Sequence, residues 1–393
     1  MKHSTTNVLF LVARIDSRTG GMEQQALQLA SALQRRNCRI FFVTAAYWDW
    51  MSGDRLPLEG TVGGFTVYRI PIFRTWRRLN ALLYVVGALF LLVRHRTRYS
   101  VIHAHGLYSS GLIACVGKLL MPSKKVVIKA GAGGSWLGDV AHLRRLPASR
   151  VLRAVVRRCA DVLVGVSPQV CRELHEAGLG RVEALANGVD TGRFAPLAPA
   201  EAARLKVGLL GPDTGRPVVL FVGRLGAEKN VSVLLQSLEF VRTPVTLVIA
   251  GEGELRPALE TQAAAAPERH HVRFLGTVEH IEQVYQIADA FVLPSLTEGS
   301  PNVLLEAMST GVPSIGSDIP GIRAVITDEL TGCIFKQPHD LAAQLERVLT
   351  DRDLAGRLSL AARQHVRERF SLDAVADQYR QIYSSLASSA VAG

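Results

Sequence analysis

The chain has 393 residues, of which 48% are hydrophobic and 20% are charged. This length and composition indicate a folded protein of two domains and exclude a disordered chain. The formal net charge is +11, so nucleic acid, an anionic membrane surface and an acidic substrate are the partners to consider. The five cysteines lie far apart without a C-x-x-C pair, which argues against a disulfide framework or a zinc site.

The first part of the chain alternates short apolar runs with longer helical stretches. Strands are predicted at residues 8–12, 39–43, 101–104, 125–128 and 162–166, and a helix is predicted at 23–35. The first apolar run has the length of a strand and not of a secretory signal, so we expect a cytoplasmic protein.

An uninterrupted apolar run at residues 81–93 lies between two groups of arginines. As a helix it would rise about 20 Å, less than the roughly 30 Å of bilayer hydrocarbon. We expect this helix to lie on an anionic membrane surface with its arginines on lipid headgroups; the alternative is a buried core helix with basic ends. Nucleic acid is not expected, because no aromatic-lined basic groove or binding motif accompanies the arginines. These are Arg69, Arg74, Arg77 and Arg78 before the run and Arg94, Arg96 and Arg98 after it.

A second series of strands follows a stretch rich in proline, alanine and glycine. Strands are predicted at 218–222, 245–250, 272–275 and 290–293. Strands that are apolar throughout are covered on both faces, which predicts parallel sheets with crossover helices. We therefore predict an α/β chain of two doubly wound, Rossmann-like domains with ligands at the carboxyl ends of their strands. The predicted boundaries are 1–195 for the N-terminal domain, 196–216 for a linker and 217–371 for the C-terminal domain.

The most informative segment follows the predicted strand at 290–293. Its polar loop carries Glu298, and a helix is predicted to start at about Pro301 with Ser300 as its N-cap. A helix start offers N–H groups and the positive end of the dipole to a phosphate. Long helical side chains lean toward the helix N-terminus, so Glu306 can reach the same ligand. Two carboxylates beside a phosphate suit the hydroxyl groups of a sugar.

The frame E-G-S-P-N-V-L-L-E-A-M-S-T-G-V-P at 298–313 resembles the signature of family 4 retaining glycosyltransferases. Other landmarks occur in the family's order: G-G-M-E at 20–23, H-A-H-G at 103–106, N-G-V-D at 187–190, F-V-G-R-L at 221–225, E-K-N at 228–230 and A-G-E-G at 250–253. The resemblance covers nearly the whole chain. It implies the GT-B fold, in which two Rossmann-like domains face each other across a cleft and a C-terminal helix, within 372–393, packs back on the N-terminal domain.

The resemblance also implies a role for each matching residue. The donor would be a nucleotide-diphosphate sugar, with UDP or GDP as the nucleotide. The N-terminal domain would bind the acceptor, and His103, next to His105 on the predicted strand, is expected to face the opposite side. The implied residues are His105 and Glu298 at the reaction centre, Arg224, Lys229 and the backbone of Gly299, Ser300, Pro301, Asn302 and Val303 on the donor diphosphate, Glu306 on the ribose, and Gly20 and Gly21 in an acceptor or phosphate loop. Lys129 begins a glycine-rich segment that departs from the family's pattern, and its charge predicts a contact with an acceptor phosphate.

The expected reaction is transfer of a glycosyl group with retention, to a saccharide or lipid-linked acceptor, at the inner face of the plasma membrane. Neither a cofactor nor a metal is expected, because the D-x-D of Asp351 and Asp353 reads as a solvated helix face. Cell-envelope or exopolysaccharide biosynthesis is the expected pathway. The alternatives are a nucleotide-sugar epimerase of the same fold and a non-catalytic scaffold docked on the membrane. A dinucleotide oxidoreductase lacks its glycine fingerprint here.

Overall fold

The computed structural model describes residues 5–15, 21–48, 57–73, 77–131, 139–145, 149–211 and 215–388. The chain forms two compact units. Unit 1 comprises Met1–Gly188 together with Leu372–Gly393, and unit 2 comprises Val189–Ser371. Each unit is a mainly parallel sheet with helices on its faces, so the predicted fold class is confirmed.

The structure divides the chain at 188/189, and not at the predicted linker. The N–H of Val189 donates to the carbonyl of Phe370 at 2.8 Å, and Ser309 Oγ donates to the carbonyl of Phe194 at 2.7 Å. Residues 189–195 therefore belong to unit 2. The stretch 196–216, predicted to be a linker, contains helix α7, Pro199–Leu210, which is also part of unit 2.

The sheet of unit 1 has eight strands in the order β3-β4-β2-β1-β5-β6-β7-β8, and among them β3 and β4 pair antiparallel. The strands are β1 Thr6–Arg14, β2 Cys38–Trp48, β3 Glu59–Val62, β4 Phe65–Phe73, β5 Val101–His105, β6 Lys125–Ala130, β7 Val162–Gly165 and β8 Val182–Ala184. The helices are α1 Gly21–Gln34, α2 Arg77–Arg94, α3 Leu112–Leu120, α4 Asp139–Arg145, α5 Ser149–Cys159, α6 Pro168–Glu176 and α15 Leu372–Ser388.

The sheet of unit 2 has six parallel strands in the order β11-β10-β9-β12-β13-β14. Its strands are β9 Val218–Val222, β10 Thr246–Ala250, β11 His271–Gly276, β12 Ala290–Leu293, β13 Ser314–Ser317 and β14 Cys333–Phe335. Besides α7, its helices are α8 Val231–Ser237, α9 Arg256–Ala264, α10 Ile281–Gln286, α11 Asn302–Thr310, α12 Pro320–Arg323, α13 Pro338–Thr350 and α14 Arg352–Arg369.

Alternate residues of β1 enter two separate cores on opposite faces of the unit 1 sheet. Leu9 belongs to the core that contains Tyr84 of α2. Phe10 belongs to the core that contains Leu29 of α1 and Tyr379 of α15. The sheet is thus buried on both faces, which explains why its strands are apolar throughout.

Helix α15 completes one of these cores, as the family resemblance implies. Tyr379 and Tyr383, one helical turn apart, are fully buried and lie on the same face of the helix. On its solvent side, Arg36 pairs with Asp377 at 2.6 Å and with Asp373 at 2.9 Å. The last helix is therefore an integral element of unit 1 although it follows unit 2 in the chain.

Helix α2, which contains the apolar run at 81–93, has one buried and one exposed face. Tyr84 and Leu92 are buried in the core of unit 1. Leu82, Val86 and Phe90, spaced four residues apart, are 59%, 57% and 60% exposed. The buried face agrees with the alternative of a core helix, and the exposed apolar face leaves membrane contact as a prediction. No helix in the described part of the chain is long and apolar enough to cross a membrane.

Candidate active site

Two glycine-containing loops meet at the carboxyl end of β9 and β10 in unit 2. A Cβ on Gly251 would lie 1.9 Å from the carbonyl oxygen of Gly223, and a Cβ on Gly253 would lie 2.4 Å from that of Leu225. The N–H of Leu225 donates to the carbonyl of Glu252 at 2.9 Å. The A-G-E-G motif therefore holds the loop that carries Arg224 in place.

Lys229 and Glu298 are brought into direct contact. Lys229 Nζ lies 2.5 Å from Glu298 Oε1, and Ser295 Oγ donates to the same oxygen at 2.8 Å. Both side chains of the ion pair are largely buried. The two residues lie 69 positions apart in sequence, and parallel strands β9 and β12 place them together, because their loops leave the same edge of the sheet.

Arg224 extends into solvent from the same loop. Its side chain is 69% exposed, and its Nη2 donates to Glu228 Oε1 at 2.6 Å. The carbonyl of Glu228 accepts from the N–H of Leu296 at 2.8 Å, which ties the β9 loop to the β12 loop. An exposed arginine on a fixed loop is available to an anionic ligand.

Helix α11 starts at Asn302, with Pro301 as its N-cap and Gly311 as its C-cap. The predicted N-cap at Ser300 is therefore wrong by one residue, because Pro301 has an extended backbone and its carbonyl accepts the first helical N–H, that of Leu304, at 3.1 Å. The residues from Gly299 to Val303 form the first turn of this helix and the loop just before it. At such a position, free backbone N–H groups and the helix dipole favour the binding of a phosphate.

Glu306 of α11 is partly buried and contacts α10. Tyr285 Oη donates to Glu306 Oε2 at 2.9 Å and to the carbonyl of Val303 at 3.2 Å. Burial raises the pKa of Glu306 to about 7, while the Tyr285 hydrogen bond and the charge of Arg193 act in the opposite direction. Arg193 is held by Glu282 through two hydrogen bonds of 3.0 and 2.8 Å. A carboxyl group in this setting can accept hydrogen bonds from a ligand's hydroxyls.

In unit 1, His103 and His105 face the same side of β5, and the prediction that they face opposite sides is wrong. Their rings stack with centroids 4.6 Å apart. Side chains on a strand alternate between faces from one residue to the next, so residues two positions apart share a face. His103 Nδ1 lies 2.7 Å from Tyr383 Oη, so its contact is with α15.

His105 is buried at the carboxyl end of β5, and neither of its ring nitrogens has a hydrogen-bond partner among the described residues. Burial lowers its pKa well below the usual value, and the charges of His103 and Lys129 add to the effect. The ring is therefore neutral at physiological pH. Buried nitrogens without partners are uncommon and point to a ligand or a water that completes them.

Lys129 lies beside His105, because β5 and β6 pair in register at these residues. It is buried, and burial lowers its pKa to about 8. The neighbouring loops are joined by Asp139, which accepts from the N–H of Leu107 at 3.1 Å and from that of Gly131 at 2.9 Å. Gly21 begins α1, whereas Gly20 lies outside the described residues.

Asp351 and Asp353 belong to the start of α14. Asp351 is the N-cap, and its carboxylate accepts from the N–H of Leu354 at 2.9 Å. Asp353 lies in the first turn, where a negative charge complements the helix dipole. Across the described ranges, no group of three or more His, Cys, Asp and Glu side chains could hold a metal ion.

Three contacts at these sites were not predicted from the sequence. Tyr285 on Glu306, Ser295 on Glu298 and Asp139 between two loops all depend on how the chain folds back. Ser295 stands three residues before Glu298 at the end of a predicted strand, which is the only sequence signal we find for any of them.

The two parallel-sheet units and their loops define a glycosyltransferase fold of the GT-B type. Anabaena HepE in complex with UDP superposes with a TM-score of 0.76 at 18% identity, covering 97% of this chain and 100% of HepE. Two family profiles match the sequence: Glycosyltransferase Family 4 at residues 19–193 and Glycosyl transferases group 1 at residues 209–365.

Relatives with similar sequences carry glycosyltransferase names. An uncharacterized glycosyltransferase of Methanocaldococcus jannaschii is 27% identical over 386 residues, which is 93% of this chain and 94% of that protein. A glycogen synthase of Mycobacterium tuberculosis is 32% identical over 302 residues, which is 73% of this chain and 69% of the synthase. The chain belongs to glycosyltransferase family 4.

Proposed function

We propose that the protein transfers a glycosyl group, with retention and without a metal ion, from a UDP- or GDP-sugar to a saccharide or lipid-linked acceptor of cell-envelope or exopolysaccharide biosynthesis. The observation that carries this proposal is the contact between Lys229 and Glu298 at the carboxyl end of the unit 2 sheet. A cation for a diphosphate and a carboxylate for sugar hydroxyls meet there. Support for a nucleotide donor comes from Anabaena HepE, which was solved with UDP.

The donor would bind unit 2 through charge and hydrogen bonds. Arg224 and Lys229 would contact the diphosphate, and the start of α11 would contribute its N–H groups. The diphosphate would replace Glu298 as the partner of Lys229, which leaves the carboxylate of Glu298 for the hydroxyls of the sugar. Glu306 would accept hydrogen bonds from the ribose.

In the proposed reaction the acceptor hydroxyl attacks the anomeric carbon on the face from which the diphosphate departs. The bond between that carbon and the diphosphate oxygen breaks, and its electron pair leaves with the nucleotide diphosphate. A phosphate oxygen of the leaving group takes the proton of the attacking hydroxyl. Arg224 and Lys229 stabilise the charge that builds on the diphosphate, and the loss of one such partner typically costs about 3 kcal/mol.

Unit 1 would bind the acceptor. His105 is neutral, so its imidazole can both donate to and accept from a carbohydrate hydroxyl. Lys129 keeps a positive charge at neutral pH, since its pKa of about 8 lies above 7, and would contact a phosphate of a lipid-linked acceptor. Gly20 and Gly21 would let backbone approach the same group.

We place the protein on the inner face of the plasma membrane through α2. Its exposed apolar residues Leu82, Val86 and Phe90 form one stripe, and the arginines at the end of the helix would meet anionic headgroups. An amphipathic helix of this kind lies in the interface of the bilayer.

The test is nucleotide release from a panel of sugar nucleotides, with and without EDTA. Wild type should hydrolyse one donor slowly and independently of EDTA. Lys229→Ala should lower the rate by about a hundredfold, and Glu306→Ala should raise the KM for the donor. Lys336→Ala, which removes an exposed lysine of the same unit, should leave both the hydrolysis rate and the KM for the donor unchanged. If no donor turns over even with membrane extract as the acceptor, the scaffold alternative replaces this proposal.

A further inference from the structure

A cavity of about 380 Å³ lies between α2 and the β3–β4 hairpin of unit 1. Helix α2 runs from the end of β4 back to the start of β5, so its last residues lie toward the amino-terminal ends of the parallel strands. His105 and Lys129 lie at the carboxyl ends of those strands. The cavity is therefore separate from the candidate active site.

Arg69 of β4 is a charged residue that lines this cavity. Its residue surface is only 7% exposed, and its Nη1 donates to the carbonyl of Pro57 at 2.9 Å. Its buried Nε has no hydrogen-bond partner among the described residues. Burying a guanidinium without satisfying its N–H groups is costly, and an anion in the cavity would complete it.

The remaining lining combines charge with apolar surface. Arg94 and His95, at the end of α2, add positive or ionisable groups, and Glu59 contributes one exposed carboxylate. Burial and the charges of Arg98 and Arg94 lower the pKa of His95, against the smaller opposing effect of Glu59. The apolar lining residues are Leu58, Ile70, Pro71, Phe90 and Leu91.

Phe90 connects the cavity with the exposed apolar stripe of α2. It lines the cavity and is also the last of the exposed residues at 82, 86 and 90. A ligand with a phosphate on Arg69 and Arg94 could therefore lay its apolar part along α2. Neither a free anion nor a simple hydrocarbon matches both halves of this lining.

We propose that this cavity binds the phosphate headgroup of an anionic phospholipid, with its acyl chains along the exposed stripe of α2. The site anchors unit 1 to the bilayer at a place distinct from the acceptor site. The proposal rests on the membrane contact proposed above, but not on the transfer reaction.

The test is sedimentation of the full chain with phosphatidylcholine vesicles in which about a third of the lipid is phosphatidylglycerol. Arg94→Gln and Arg96→Gln remove the same charge from exposed arginines near the end of α2, but only Arg94 lines the cavity. Arg96→Gln should weaken partitioning by about fivefold, as loss of one basic residue near a membrane does. Arg94→Gln should weaken it by about thirtyfold, because a charge-assisted hydrogen bond is lost as well. Thermal unfolding of both variants checks that they are folded.

If the two variants lose the same amount of vesicle binding, the cavity is not a lipid-binding site. Only general electrostatic attraction to the membrane would then remain. Binding of soluble ligands distinguishes a lipid phosphate from a free phosphate. Short-chain phosphatidylglycerol below its micelle concentration should bind wild type at least about tenfold more tightly than glycerol phosphate, because its chains cover apolar surface. If glycerol phosphate or inorganic phosphate binds as tightly, the site is for a soluble phosphate. No donor or acceptor is present in these assays, so their failure leaves the transferase proposal standing.

Discussion

The carboxyl group of Glu306 lies in surroundings that are unusual for a charge. Glu306 lies on α11, partly buried, and accepts a hydrogen bond from the hydroxyl of Tyr285 on α10. The sequence places Glu306 on a helix after the strand at 290–293, but it does not show that the group is buried or that its pKa is near 7. That information depends on α10, whose Tyr285 lies 21 residues before Glu306 in the chain.

Glu306→Gln should change how stability depends on pH. The folded-state pKa of about 7 lies above the ordinary 4.5, so between these values the native state binds more protons than the unfolded state. The free energy of unfolding of the wild type therefore falls as the pH rises from 4.5 to about 7. Below pH 4.5 Glu306 is protonated in both states and has no effect on this dependence. The variant, which keeps the shape without the charge, should be more stable than wild type by up to about 3 kcal/mol above pH 7.

Urea unfolding at pH 5 and at pH 8 measures this difference. Glu260→Gln, which removes an exposed carboxylate of α9, is the matched control. Its stability should differ from that of wild type by the same amount at pH 5 and at pH 8. A gap between Glu306→Gln and wild type that does not widen from pH 5 to pH 8 would contradict the buried carboxyl.

The sequence predicts which residues stand at the ends of strands, but it does not predict which distant residues pack against them. The contact between Lys229 and Glu298 agrees with the two loops' places at the ends of predicted strands. Strand periodicity places His103 on the same face as His105, as the structure has it. The partner of His103 on α15 was not available, because Tyr383 is 280 residues away in sequence.

At the scale of elements, the loop that carries Glu298 rests directly on α12. A Cβ on Gly321 would lie 2.2 Å from the carbonyl oxygen of Glu298 and 2.8 Å from its carbonyl carbon. Both are backbone atoms, so they cannot move aside as the end of a side chain can. Helix α12 thereby fixes the height of the loop above the sheet.

Gly321→Ala should displace this loop and destabilise unit 2. We expect a loss of about 1–3 kcal/mol from overpacking and a higher KM for the donor, since Glu298 would be moved away from the sugar hydroxyls that it is proposed to bind. Gly356→Ala on α14 is the control, because a Cβ there meets nothing within 4 Å; it should stabilise by up to about 1 kcal/mol. Chemical denaturation and donor kinetics compare the two. Equal behaviour of the variants would show that the Gly321 contact does not hold the loop.

Strands with continuous apolar runs are well predicted, and the edge of the sheet is not. The prediction at 218–222 coincides with β9, Val218–Val222. The β3–β4 hairpin was missed, because β3 is short and half exposed and so gives a weak pattern. That hairpin forms one wall of the α2 cavity, which is why the sequence indicates the apolar helix but not the cavity beside it.

At the scale of the molecule, the chain leaves unit 1 at Gly188 and returns to it at Leu372. Unit 2 is continuous, with its own sheet of six strands. Unit 1 is complete only after α15 has covered the face that contains Phe10 and Leu29. The family resemblance predicted this return, whereas composition and periodicity alone gave only a helical stretch at the end.

A chain that ends at Ser371 should therefore lose unit 1 and keep unit 2. It lacks Tyr379 and Tyr383, which are fully buried, and each large aromatic removed from a core costs about 3–5 kcal/mol. Together with the rest of α15 this loss is comparable to the whole stability of a domain, about 5–15 kcal/mol. Hydrogen exchange should show protection lost in β1 and β5 but retained in β9, β10 and β12. A chain that ends at Ser388 is the control and should match the full chain. Protection that persists in β1 and β5 without α15 would mean that the first 188 residues fold without the last helix.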